Sequence, residues 1–275
     1  VVCPNVWGGC QGSTGPASLA PNGRAWGSRF PLLTTRDQVA AEKLLMEQLR
    51  ISRWFAVVGT SLGGHRALEW AVTYPEAMEK VVAVATGAST TAEQAAWCHM
   101  QLHVMELDPN YRGGDYYDNP PGQGPYRGLA LAREIAHTTY RSPKELQVRF
   151  GRDPGYQEDP LSGGRLAVQS YLDYHGLKLA RRFDAGSYRV LTRSMLTHDV
   201  GRGRGGLVVA LGQVQAEVLS LGVDSDRLFY PNQPQQIARL TPKGRCVIIH
   251  SDSGHDGFLI ENDAVSAQIR DFLAS

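Results

Sequence analysis

Cysteine is scarce in this chain. Its 275 residues hold four, Cys3, Cys10, Cys98 and Cys246, far apart and with no C-x-x-C spacing. That scarcity argues against a disulfide framework or a zinc site and predicts reduced core thiols in a soluble intracellular protein. No apolar run approaches the roughly 18 residues that a membrane-spanning helix needs. An excess of either charge is also missing, with 28 Lys+Arg against 27 Asp+Glu for a net +1. A nearly neutral chain is not expected to bind nucleic acid or anionic membrane by bulk electrostatics. Internal repeats and low-complexity tracts are absent. So are an initiator Met and a signal-peptide n-region. The sequence opens Val1-Val2-Cys3-Pro4-Asn5, an apolar run expected to lie mid-strand, and that opening suggests a fragment.

What is present is an α/β rhythm with an interruption. Thr35 followed by Gln38 resembles a capping box, with Ala41, Leu45 and Leu49 at helical spacing behind it. Phe55-Ala56-Val57-Val58 is an apolar, β-branched run expected to be a strand buried on both faces. Residues 63–71 predict a helix and residues 81–85 a second buried strand. From residue 90 to about 200 strand signals are scarce. Helices are expected there over residues 92–106, 129–138 and 166–183, separated by turns such as Asn119-Pro120-Pro121-Gly122. Strands are expected again over residues 214–222 and 246–250, with a turn at residues 224–227 between them. A last helix carries Val265, Ile269, Phe272 and Leu273. The pattern predicts an α/β fold with a mostly parallel sheet, its core in residues 1–89 and 205–275, and a helical lid inserted over residues 90–204.

The chemistry concentrates at Gly59-Thr60-Ser61-Leu62-Gly63. This G-x-S-x-G follows a buried strand and precedes a helix, and it resembles the nucleophile elbow of α/β-hydrolases. A side chain on so sharp a turn is strained, and small neighbours such as Gly59 and Gly63 are expected to let the chain pack there. The Leu62 N–H, at the start of the following helix, is a candidate oxyanion donor. A serine nucleophile needs a base and the base needs an acid, in the chain order Ser, Asp/Glu, His. His255, in Ser253-Gly254-His255-Asp256-Gly257, follows the strand at 246–250 and is the candidate base. Two candidate acids, Asp224 and Asp226, share the loop after the preceding strand, and Asp224 could as easily be a turn-former making an Asx hydrogen bond. The residues alone leave that choice open.

The wider sequence resembles the homoserine O-acetyltransferases, enzymes of methionine biosynthesis built on the α/β-hydrolase fold. The motifs are Asn5-Val6-Trp7-Gly8-Gly9 continuing to Pro16, Phe30-Pro31 with Arg36-Asp37, Ala67-Leu68-Glu69-Trp70-Ala71, Gly128-Leu129 with Ala132-Arg133, and Arg182-Phe183-Asp184-Ala185 with Tyr188. His198-Asp199-Val200-Gly201-Arg202-Gly203-Arg204-Gly205-Gly206 resembles the actinobacterial branch. Ser225-Asp226-Arg227-Leu228 and Gly254-His255-Asp256-Gly257-Phe258 complete the match. Trp7 stands where Leu is expected and Thr60 where many members carry Gly.

The resemblance implies a triad of Ser61, Asp226 and His255. It also implies homoserine-binding residues at Arg133, Tyr140 and Asp256, a charge arrangement that suits a zwitterion. The expected partners are acetyl-CoA as co-substrate and L-homoserine, in the cytoplasm, with no cofactor and no metal. A homodimer through the lid helices is expected as well. Further strands before residue 1, one carrying a second oxyanion donor, are implied too. Rival expectations are a succinyl-CoA donor, a serine or deacetylcephalosporin C acceptor, an esterase, or an inactive truncated form. The Gly/Arg run at 201–206 is expected to be a turn, with Arg202 and Arg204 as candidates for the CoA phosphates. His198 and Asp199 could mimic a metal pair but have no further ligands at metal spacing.

Overall fold

The computed structural model describes residues 1–120 and 122–275, so Pro121 of the expected turn lies outside the described residues. In chain order the elements are α1 (Thr35–Gln48), β1 (Trp54–Thr60), α2 (Leu62–Thr73), β2 (Met78–Val84), α3 (Ala92–Glu106) and α4 (Tyr126–Tyr140). Then come α5 (Pro143–Phe150), α6 (Ala167–Ala180), α7 (Ala185–Leu196), α8 (Leu207–Gly212) and β3 (Glu217–Val223). The chain closes with α9 (Asn232–Leu240), β4 (Gly244–Ile249), α10 (Gly257–Ile260) and α11 (Asn262–Ala274). Among the described residues no helix is long and apolar enough to cross a membrane.

The chain divides into two compact units. The first comprises Val1–Leu33, Ala92–Thr139 and Pro143–Leu196, and the second Thr34–Thr91, Tyr140–Ser142 and Thr197–Ser275. Residues 1–33 therefore group with the helices, which differs from the expected core of residues 1–89. The expected opening strand is not a strand: Val1 and Val2 are exposed. The segment holds an isolated bridge, Leu19 with Ala25, and a short 3-10 helix, Gly27–Arg29. Its anchor is side-chain packing, with Phe30 and Leu33 against Val190 of α7 and with Trp7 and Trp26.

The second unit contains the sheet. Its order is β1-β2-β3-β4, every neighbouring pair parallel. Alternation along β2 explains both cores. Val81 and Ala83 point to one face, with Val39, Met46, Leu68, Trp70, Leu211 and Ile237 from α1, α2, α8 and α9. Val82 and Val84 point to the other, with Leu219, Leu221, Ile249 and the α11 residues Val265 and Phe272. Side chains of period two feeding two helix layers are what a parallel strand buried on both faces requires.

β1 departs from the expectation of two-faced burial: Phe55 is 55% and Val58 51% exposed. Among the described residues β1 pairs with β2 alone. The cysteines also differ from the expected core thiols. All four are free, but only Cys98 is buried; Cys3 is exposed and Cys10 and Cys246 are half-buried. Burial pushes the Cys98 thiol up to about 11.

The cap of α1 sits one residue earlier than the sequence suggested. The Thr34 hydroxyl accepts from the Asp37 N–H at 3.4 Å, and the Asp37 carboxylate accepts from the Thr34 N–H at 2.8 Å. An aspartate at the third helical position completes the box as Glu or Gln would, because its carboxylate reaches back to the same orphan N–H.

Candidate active site

Ser61 stands between β1 and α2 with φ 50° and ψ −118°. A non-glycine residue at positive φ carries about 1–3 kcal/mol of strain, which the surroundings must impose. Three backbone contacts and one side chain do so. The Ser61 N–H donates to Val84 O at 2.8 Å, and the Ser61 carbonyl accepts from Gly64 N at 2.9 Å and His65 N at 3.2 Å. The Thr86 hydroxyl donates to the same carbonyl at 2.9 Å. Nothing near Thr86 marks it in the sequence, and the reading missed it.

The glycines divide unequally. A Cβ on Gly59 would lie 2.0 Å from Gly63 O, and one on Gly64 would lie 2.6 Å from Thr86 Cβ. A Cβ on Gly63 would meet nothing within 4 Å. The tight positions are thus Gly59 and Gly64, while Gly63, expected to be tight, has room.

His255 lies in a short turn between β4 and α10. Its Nε2 is 3.1 Å from Ser61 Oγ and its Nδ1 2.8 Å from Asp226 Oδ2. A carboxylate only accepts, so Nδ1 carries the proton and Nε2 accepts from the Ser61 hydroxyl. Asp226 and His255 are both buried. The second Asp226 oxygen, Oδ1, accepts from Leu228 N at 2.8 Å and Phe229 N at 2.9 Å. The carboxylate is therefore fixed by the backbone of its own turn. Asp226 makes the Asx-type bonds and faces the histidine at once.

Asp224, the other candidate acid, is committed elsewhere: to His250 Nδ1 at 2.5 Å and Ser251 N at 3.0 Å. Burial works to raise its carboxyl, but the hydrogen bonds from Ser251 and His250 outweigh it and hold it below the usual range. Ser225, between the two aspartates, ties the loops together. Its hydroxyl donates to Ser251 O and accepts from Gly254 N.

Leu62 is the first residue of α2, where an N–H has no intrahelical acceptor and the helix dipole is positive. Tyr140 belongs to the same unit as the sheet, and its ring centroid is 5.7 Å from that of His255. Asp256 follows His255 directly and pairs with Arg141 at 3.2 Å. Arg133 is half-buried on α4, in the helical unit. The structure thus brings Ser61, Asp226, His255, Leu62, Tyr140 and Asp256 into one unit.

The Gly/Arg run at 201–206 is a turn, and the guanidinium of Arg204 within it has partners. Arg204 bonds the buried Glu69 carboxylate at 2.6 Å and Val200 O at 2.9 Å, and Arg36 donates to Arg202 O. His198 Nδ1 is 3.1 Å from the Thr35 hydroxyl, and the ring stacks on His65 with centroids 3.9 Å apart.

A serine on a strand-to-helix turn, at the C-terminal end of a parallel strand and facing a histidine–aspartate pair, defines the class. The molecule has the α/β-hydrolase fold, and a model of that fold matches residues 1–261. The chain is 56% identical over 275 residues to a homoserine O-acetyltransferase of Thermobifida fusca, a match covering all of this chain and 72% of that one. It is 51% identical to one of Clavibacter michiganensis subsp. michiganensis, covering 99% of this chain and 72% of that one. The crystal structure of homoserine O-acetyltransferase from Bacillus anthracis matches with TM-score 0.88 at 24% identity, covering 96% of this chain and 71% of that one. Esterase E22 matches with TM-score 0.86 at 26% identity, covering 95% and 72%. The chain belongs to the homoserine O-acetyltransferase family.

Proposed function

We propose that this protein transfers acetyl from acetyl-CoA to the side-chain hydroxyl of L-homoserine, in two half-reactions through an acetyl-Ser61 enzyme. One observation carries the reading. A serine–histidine–aspartate relay with hydrogen-bond distances of 3.1 and 2.8 Å lies in a chain 56% identical to a homoserine O-acetyltransferase.

In the first half-reaction His255 Nε2 takes the Ser61 hydroxyl proton as Oγ bonds to the thioester carbonyl carbon. Negative charge gathers on the carbonyl oxygen, and the Leu62 N–H at the positive end of α2 donates to it. The C–S bond then breaks, and His255 returns the proton to the departing thiolate, giving CoA and acetyl-Ser61. In the second, His255 removes the proton of the homoserine hydroxyl as its oxygen bonds to the acetyl carbon. The bond between the acetyl carbon and Ser61 Oγ breaks, Oγ recovers the proton from His255, and O-acetyl-L-homoserine leaves. Asp226 holds Nδ1–H throughout and offsets the charge on the imidazolium. Asp256 receives the acceptor's ammonium beside the reacting histidine, with Tyr140 against the same ring. The family resemblance gives the acceptor's carboxylate to Arg133.

The test is release of CoA thiol from acetyl-CoA with and without L-homoserine, on this protein and on Ser61→Ala. Release that needs homoserine and vanishes in the variant is expected. Equal release without homoserine would replace the transferase with a hydrolase, the reading that the likeness to esterase E22 favours.

A further inference from the structure

Arg141 has no part in the roles assigned so far, yet it touches Asp256. Its Nη2 lies 3.2 Å from Asp256 Oδ2, with side chains 16% and 21% exposed. The pair is partly desolvated and still reachable from solvent. That distance is longer than the 2.7–2.9 Å typical of strong charge-assisted bonds.

The backbone around Arg141 is fixed on both sides against the histidine loop. Tyr140 before it packs on His255, with ring centroids 5.7 Å apart. Ser142 after it donates its hydroxyl to Asp252 O. Between these, Gly254 has φ +69°, and a Cβ there would lie 2.6 Å from Ser142 N and 2.7 Å from the Arg141 carbonyl carbon. A glycine in a conformation other residues resist, with no space for a side chain, marks a designed close approach of two backbones. Residues 140–142 and 252–256 therefore form one rigid patch that presents a cation and an anion side by side.

We propose that Arg141 is a specificity-determining residue of the acceptor subsite, an inference that rests on the function proposed above. Asp256 alone would attract any cationic amino alcohol. Paired with Arg141, Asp256 is one end of a bipolar patch rather than a bare negative charge. That patch draws an acceptor whose ammonium meets Asp256 and whose carboxylate feels the guanidinium, and it disfavours one that brings only a positive charge. Selectivity here comes from repulsion of the wrong ligand as much as attraction of the right one. The sign does not depend on the detailed pose. Removing a positive charge beside the subsite weakens a carboxylate-bearing acceptor relative to one that lacks the carboxylate.

The experiment compares L-homoserine with 3-aminopropan-1-ol, the same molecule without its carboxylate, as acetyl acceptors. The reading is the ratio of their kcat/KM values in the wild type, Arg141→Gln and Arg141→Lys. The ratio is taken on a single preparation of each protein, so a partly misfolded sample cancels. The ratio is expected to fall about tenfold or more in Arg141→Gln, tenfold being the size of one charge–charge interaction over about 12 Å at an effective dielectric of about 20. Arg141→Lys should keep most of it. Acylation of Ser61 by p-nitrophenyl acetate, which uses no acceptor, should stay within about twofold.

An unchanged ratio in Arg141→Gln would overturn the proposal, as would a Lys variant that behaves like Gln. A parallel loss of acylation and of both acceptors would reduce Arg141 to a structural role. Wild-type protein that acetylates neither acceptor, yet is acylated at Ser61, would sink the proposed function itself, a result distinct from the others.

Discussion

Two aspartates two residues apart have opposite surroundings. Asp226 gives one oxygen to His255 and the other to two backbone N–H groups, while Asp224 is held by His250 and Ser251. Asp226→Asn should therefore lower kcat by about 10³–10⁴, since an amide that donates to the imidazole enforces the wrong tautomer. Asp224→Asn should leave kcat within about threefold, because it touches neither Ser61 nor His255. Steady-state kinetics on the two variants checks both, and equal losses would contradict the assignment. The sequence narrowed the acid to this pair and stopped there. Loop position does not reveal which carboxylate turns inward, and only the family resemblance pointed to Asp226. Ser61 and His255 were legible because the G-x-S-x-G context and the order of the chain mark them. Thr86, Ser225 and Arg141 carry no local pattern; each matters through a partner distant in sequence.

At the scale of elements, the turn between β1 and α2 makes a sharp claim about its glycines. Gly59→Ala places a methyl against backbone atoms at 2.0 Å, and rigid backbone on both sides cannot yield, so the variant should be strongly destabilised or fail to fold. Gly63→Ala has open space and a helical position, where alanine is favoured by up to about 1 kcal/mol. Its melting temperature should match or exceed that of the parent. The start of α1 offers a second check, since Thr34→Ala removes a cap and should cost about 1 kcal/mol in a denaturant melt. Thr35→Ala should not act through the cap. The sequence located this helix but moved its cap by one residue, because adjacent threonines both satisfy the pattern and only backbone geometry separates them. The opening Val1-Val2 failed as a strand for a related reason. A short apolar run does not say whether a neighbouring strand exists to pair with it.

Taken as a whole, the molecule keeps two histidines neutral in its interior. Burial first, and then the neighbouring His198, hold His65 well below its usual 6.5. Burial, aided by the charges of Arg202 and Arg36, lowers His198 to about 3. The unfolded chain takes up both protons near pH 6.5, whereas the folded one takes up the His198 proton only near pH 3 and the His65 proton only well below 6.5. Between those limits the unfolded state binds more protons, so unfolding free energy rises with pH and levels off above about 6.5. Urea melts at pH 5 and 7 should show the loss on acidification. Replacing His198 by Asn should reduce the slope by at most about 1.4 kcal/mol per pH unit. An unchanged slope would mean the histidine titrates normally.

The parallel sheet and its two helix layers were readable from buried strands alternating with amphipathic helices. The grouping of residues 1–33 with the helical unit was not, since it depends on Phe30 and Leu33 meeting Val190 far along the chain.

The central claim is a covalent one: acetyl passes through Ser61. Its most direct test is intact-protein and peptide mass spectrometry after mixing with acetyl-CoA in the absence of acceptor. The account predicts one added acetyl group on the peptide bearing Ser61. It should disappear on adding L-homoserine as O-acetyl-L-homoserine forms, and it should never arise in Ser61→Ala. Homoserine-dependent product with no acetyl-enzyme at any time, or an acetyl group on another residue, would contradict it.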